Sequence, residues 1–333
     1  MKEIKEQFKI ILDKSAIFKS LEKVGEYKNE KLKLTIKKWE DDDVTSNMFI
    51  IKIEGECSFF GVINGLFERE GFGVNKYPNG DFYFGYFSEN ERNKHGIYSY
   101  KPKIENNYIL SEYCYGLWKD DNRDGYGIYL WLKENKSTTP FSDFSNSSFR
   151  AYIGNISHNN FTKGTFLIKS GNKYFVYHGL FNSEGKKHGD LSFFYSAEKE
   201  LLLYGSFEND NFISGFIATF NNEGNIINIC KYNKGEIIQK KDINSLEIEV
   251  VQKILFNFRN VIMSKDYFGD IYKEFGNVIK FIEKHMNNLD ILNSDRYIDI
   301  MNAVIKYNKM TIFRDIENYV EENENQAWNK YKE

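Results

Sequence analysis

About every 25 residues, the middle of this chain repeats an aromatic-x-Gly-x-aromatic signature, and that recurrence limits the fold more than any other feature. The clearest copy runs Tyr113-Cys114-Tyr115-Gly116-Leu117-Trp118 and continues through a polar stretch to Gly125-Tyr126-Gly127. Its first half recurs around Gly61, Gly85, Gly154, Gly179 and Gly205, and a worn copy combines Cys230, Tyr232 and Gly235. Successive anchors from Gly61 to Cys230 stand 24, 31, 38, 25, 26 and 25 residues apart. The two long intervals hold polar insertions at 101–111 and 133–149, as between-repeat turns tolerate.

A unit of this length accommodates two short strands and a turn. One such hairpin is marginal in water, so neighbouring copies must pair side by side. The anchors Gly61, Gly85, Gly116, Gly154, Gly179 and Gly205 then permit close backbone approach or a bulge. Gly71/Gly73, Gly96, Gly125/Gly127, Gly164, Gly189 and Gly215 are expected to close the hairpin turns with positive φ. Asn79-Gly80 and Glu223-Gly224 read as reversals between units. One aromatic stripe follows from the repeat: Tyr83, Phe87, Tyr115, Trp118, Tyr152, Tyr177, Phe181, Tyr204 and Phe207. Two readings fit it, a ladder that holds the sheet together and a partly exposed groove that receives a partner helix or strand.

Flanking texture differs. Ile4, Phe8, Ile11, Leu12, Phe18 and Leu21 keep close to helical spacing, which predicts an amphipathic helix within 1–24. Residues 25–56 read as a β cap, 57–238 as the repeats, and 239–333 as a helical module with apolar residues every three or four positions. The expected class is therefore α+β, an elongated antiparallel hairpin sheet between helical ends. Lys2, Lys5, Lys9, Lys14, Lys19 and Lys23 give the first helix a basic surface. It suits packing against the repeats or a partner, or docking at an anionic membrane.

Composition removes other classes. Lys+Arg 45 against Asp+Glu 48 leaves a formal charge of −3, so a basic nucleic-acid-binding face is not expected. Aromatics at 17% against 3 prolines favour strands around a large core. Cys57, Cys114 and Cys230 form no C-x-x-C pair, which suggests a reducing, cytoplasmic setting. The 5 histidines lack zinc spacing, His95 and His188 reading as turn residues, and Asp41-Asp42-Asp43 lacks the remainder of a calcium loop. Gly179–Lys187 has the wrong spacing for a phosphate loop and no Ser or Thr after Lys186. We therefore expect no cofactor, no metal and no enzymatic activity.

The repeat resembles the MORN (membrane occupation and recognition nexus) motif, Tyr-x-Gly-x-Trp-x-x-Gly-x-x-x-Gly-x-Gly. Gly116, Trp118, Gly125 and Gly127 match it in register, and Asp121 stands at the middle glycine. His95-Gly96 and His188-Gly189 are similar to its frequent His-Gly ending. The resemblance implies an elongated, twisted sheet acting as a scaffold or recognition surface in cytoskeletal, ciliary or membrane-associated assemblies. Protein partners, helical ones among them, are expected of the aromatic stripe, and a second partner or homo- or hetero-oligomers of the helical module. An alternative is recruitment to membranes through phosphoinositide or other anionic lipid.

Overall fold

The computed structural model describes residues 20, 26–29, 34–38, 48–53, 58–64, 66, 68–137, 147–171, 173–238, 249, 251–253, 255 and 259. The expected helix over 1–24 and nearly all of the expected helical module over 239–333 lie outside them, as do Cys57 and Asp41-Asp42-Asp43. Three strands lead in, β1 (Glu26–Asn29), β2 (Leu34–Lys38) and β3 (Met48–Ile53). Next come β4 (Ser58–Ile63), β5 (Arg69–Lys76), β6 (Phe82–Ser88), β7 (Glu91–Glu105), β8 (Tyr108–Lys119) and β9 (Asn122–Asn135). The second half holds β10 (Ser148–Ser157), β11 (Asn160–Ser170), β12 (Lys173–Phe181), β13 (Lys187–Ser196) and β14 (Leu201–Glu208). It ends with β15 (Asn211–Phe220), β16 (Ile226–Asn233) and β17 (Glu236–Ile238). Every strand pairs antiparallel with the one before and the one after it, so the described residues form one long meander of hairpins.

Glycines face glycines across the sheet. The row runs Gly61, Gly73, Gly85, Gly96, Gly116, Gly127, Gly154, Gly164 and Gly179, and resumes at Gly205 and Gly215. Ser192 stands opposite Gly205, and Tyr232 opposite Gly215. The expectation of glycine-closed hairpin turns is therefore corrected: Gly73, Gly96, Gly127, Gly164 and Gly215 lie inside strands at the anchors' own level, and Gly71, Gly125 and Gly189 lie inside β5, β9 and β13, though with the expected positive φ. So is the alignment of the last copy, where Tyr232, not Cys230, occupies the glycine level. His95 and His188 are likewise strand residues, in β7 and β13.

The row favours glycine because the facing strand's backbone, or a tyrosine from the neighbouring level, occupies the space a Cβ would need. A Cβ on Gly96 would lie 2.2 Å from the Tyr83 hydroxyl, and one on Gly164 2.4 Å from the Ile153 carbonyl oxygen. Tyr83, Tyr152 and Tyr177 each stand two residues before an anchor. Their hydroxyls donate to the carbonyls of Tyr86 (3.1 Å), Asn155 (2.6 Å) and Leu180 (2.8 Å), one residue past the glycine. The register shifts beside these sites, at Gly85/Tyr86, Asn155/Ile156 and His178/Leu180. The tyrosine thus covers the bared backbone and satisfies a carbonyl where the ladder is interrupted.

The hairpins turn on two-residue loops of another kind. Glu89-Asn90, Asp120-Asp121, His158-Asn159 and Asn209-Asp210 all have positive φ, between 47° and 73°. Asn and Asp tolerate that conformation, and two such residues give the tight turn whose twist matches the strands. The expected reversals at Asn79-Gly80 and Glu223-Gly224 are in place, with Gly80 donating to Tyr77 and Gly224 to Asn221. The 101–111 insertion lengthens β7 and β8 instead of looping out.

Because strands alternate, residues around each anchor divide between two faces. The opposite face from the tyrosines buries Phe84, Ile97, Leu130, Ala151, Leu167, Phe193, Leu202 and Ala218. Among the described helical residues, Val251, Leu255 and Arg259 fall four apart and are buried. The Arg259 guanidinium lies 3.1 Å from Glu200 Oε2 and 5.2 Å from the Phe220 ring centre, at the β14 and β15 end of that face.

Candidate interaction surface

The nine aromatics of the expected stripe do not form one surface. Tyr83, Phe87, Trp118, Tyr152, Tyr177, Phe181 and Phe207 share the tyrosine face, whereas Tyr115 and Tyr204 project from the other side of their strands. All except Phe181 are buried. Phe87 and Trp118 set their rings edge-on to Tyr83 at 5.1 and 5.4 Å, and Phe181 and Phe207 do the same to Tyr177 at 5.1 and 5.4 Å. Each such pair adds about 0.5–1.5 kcal/mol beyond burial. These residues are the floor of the sheet.

The half-buried aromatics of this face lie mostly on the return strands, several of them level with Tyr83, Tyr152 and Tyr177. Across the sheet, Tyr98, Cys114, Tyr129, Tyr152, Phe166, Tyr177 and Phe194 stand in direct register. Outside them Tyr100, Glu112, Trp131, Arg150, Ile168 and Phe175 make a second row. Tyr98, Tyr100, Trp131, Phe161, Phe166, Phe175 and Phe194 are half-buried. Trp131 stacks on Tyr129 at 4.3 Å and meets Phe161 and Phe166 at 6.1 Å. Phe161 lies flat on Tyr152 at 4.0 Å. Together Trp131, Phe161, Phe166, Phe175, Phe181 and Phe194 line a groove of about 390 Å³. A wider cleft of about 970 Å³ continues from it, sharing Trp131 and Ile168.

Their sequence signal was available: Gly96-x-Tyr98-x-Tyr100, Gly127-x-Tyr129-x-Trp131 and Gly164-x-Phe166 repeat on the return strands. Reading those glycines as turns hid it, because a residue in a turn has no face.

A second repeated feature holds the units together on this side. The residue opening a return strand grips the turn of the next unit. Arg92 donates its backbone N–H (2.8 Å) and Nε (3.1 Å) to Asp121 Oδ1, while the Asp121 N–H donates to the Arg92 carbonyl at 3.1 Å. Arg69 with Asn90, Arg123 with Asn159, and Lys187 with Asp210 repeat the reciprocal clasp. The same cations cover rings: Arg92 lies 4.4 Å from Trp118, Arg69 4.7 Å from Phe87 and Arg123 4.7 Å from Tyr129. Two junctions differ, with Phe161 and Phe212 in the arginine position. At the first, a wider loop, Asn182 to Lys186, also replaces the two-residue turn. The groove opens at that first one.

Reactive groups on the described residues are muted. Burial pushes the Cys114 thiol up to about 11 and raises Cys230 as well, so neither is a ready thiolate. Desolvation lowers His95 below its ordinary range. Among the described residues no three His, Cys, Asp or Glu side chains gather as a metal site, and no helix is long and apolar enough to cross a membrane.

No family model matches the sequence, and no curated protein matches it.

Proposed function

We propose that this protein is a non-enzymatic scaffold whose repeat sheet docks a protein segment along the half-buried aromatics of the tyrosine face. The observation that carries the reading is the groove formed by Trp131, Phe161, Phe166, Phe175, Phe181 and Phe194. Large, stiff aromatic side chains supply contact area at low conformational cost, and they concentrate at interfaces for that reason. The backbone beneath is held by ladders and clasps on each side, so docking need not order the surface first. The resemblance to the MORN motif supports the same reading.

Site-specific photo-crosslinking in the cell of origin tests it. A benzoylphenylalanine at Phe175 or Phe194 is expected to give discrete protein adducts, and one at Leu66, exposed but remote in sequence, is not. Adducts to lipid alone, or equal labelling from all three positions, would replace the proposal with membrane recruitment or with no defined surface.

A further inference from the structure

We infer that the segment docking in this groove carries acidic residues at one end, seated over β7 to β10, and bulky apolar residues along the rest. The inference rests on the reading of the aromatic groove as a docking surface, and it adds the partner's chemistry and direction.

The two ends of the groove differ in charge. At the wide end, Lys101, Lys103, Lys133 and Arg150 are all exposed around the cleft. Lys103, Leu110, Lys133 and Ser148 stand in one register row, and Arg150 lies between Trp131 and Ile168 in the next. Lys103, Lys133 and Arg150 therefore share the face that carries the aromatics. Among the described residues none of the four is in an ion pair.

The carboxylates nearby are already engaged. Buried Asp81 accepts the Tyr98 hydroxyl and the Lys101 backbone N–H, each at 2.8 Å. Glu112 accepts the Tyr129 hydroxyl. Among the described residues lining this end, Glu105 is the one exposed carboxylate, at the strand tip. At the narrow end the charges are matched pair by pair, Lys186 with Glu184 at 2.6 Å and Lys187 with Asp210 at 2.8 Å. A ligand with uniform charge would leave one end uncompensated, whereas an acid-then-apolar segment complements both.

Length fits as well. From β7 to β13 the groove crosses six strand spacings of about 4.8 Å, or about 29 Å. A helix of about 19 residues spans that distance at 1.5 Å each.

Selection of random 20-residue peptides displayed on phage against the full-length protein tests the inference. We expect enriched peptides to carry clustered Asp or Glu beside Trp, Phe or Leu. The Lys133→Glu/Arg150→Glu double variant, altering exposed side chains only, should weaken their binding about ten-fold at low salt. Raising salt should do the same to the wild type. If aromatic peptides without acidic bias are enriched and depend on Trp131 but not on Lys133 and Arg150, the docking surface stands and the charge inference falls. If nothing is enriched, both fall. Retention of vesicles containing phosphatidylserine without acidic-peptide enrichment assigns the cations to a membrane and overturns the inference.

Discussion

Gly96→Ala tests whether the glycine row is a geometric requirement. The new Cβ would stand 2.2 Å from the Tyr83 hydroxyl oxygen and 2.4 and 2.5 Å from two ring carbons. Carbon contacts settle near 3.5–4.0 Å, so the ring must move by about 1 Å or more. It has no free direction, because Tyr83 is fully buried against the edges of Phe87 and Trp118. Overpacking costs about 1–3 kcal/mol and the lost Tyr83 hydrogen bond to Tyr86 about 1, so about 3 kcal/mol in all.

The clash is with the far end of a side chain, so a shorter one should relieve it. Tyr83→Leu destabilises alone by about 2–4 kcal/mol, but combined with Gly96→Ala the loss should fall short of the sum by about 2 kcal/mol. Gly164→Ala is the contrasting case: its Cβ meets backbone at Ile153 O, 2.4 Å, and Gly154 Cα, 2.7 Å, which no side-chain truncation clears. Hydrogen exchange read by mass spectrometry suits the measurement, since stacked units open regionally and β13 to β15 serve as an internal reference. Additive losses within about 0.5 kcal/mol, or unchanged protection in β6 to β8 after Gly96→Ala, would refute the reasoning.

Two further outcomes follow from the clasps and the buried phenols. Asp121→Ala removes the acceptor of two Arg92 bonds and puts Ala at φ 66°, so exchange protection around β7 to β9 should drop by about 2 kcal/mol. Asp121→Asn, the residue found at positions 90 and 159, should keep most of it. Alkaline titration should expose the second. Desolvation raises Tyr83, Tyr98, Tyr115, Tyr129 and Tyr195 above 10.0, and Cys114 from 9.0 to about 11. Protons held more tightly in the folded state mean full stability below about pH 9, declining as pH climbs through 9 to 11 and beyond. Tyrosinate absorbance should therefore rise together with loss of circular dichroism, and buried phenols ionising in a still-folded protein would contradict that linkage.

The anchors were legible because a glycine every 25 residues between aromatics has few other uses, and Gly61, Gly85, Gly116, Gly154, Gly179 and Gly205 do share one level of the sheet. What the spacing could not convey was that return-strand glycines belong to the same row. Turns built from Asp120-Asp121 or His158-Asn159 need no glycine, so a glycine beside a polar stretch does not mark the turn. The clasps escaped for another reason. Arg69 reaches Asn90 over 21 residues but Arg123 reaches Asn159 over 36, because the insertions fall between them. No fixed offset marks the contact, although both its members sit at fixed places in the hairpin.

The interrupted clasp ties these features to the surface. In a meander each unit touches only its neighbours, so coupling depends on what crosses each junction. Where Arg69, Arg92, Arg123 and Lys187 open the strand, the cation grips the next turn, and each of the three arginines also covers a ring, Arg69 and Arg92 one in the next unit and Arg123 one in its own, which spends both the aromatic face and the charge internally. Phe161 at the equivalent place stacks on Tyr152 and grips nothing, while the Asn182 loop folds on itself through its own Oδ1, which accepts the N–H groups of Glu184 and Lys186. That junction gives up a clasp and gains open aromatic area beside Trp131, so a place where the repeat breaks its pattern is also one where its face is open to another molecule.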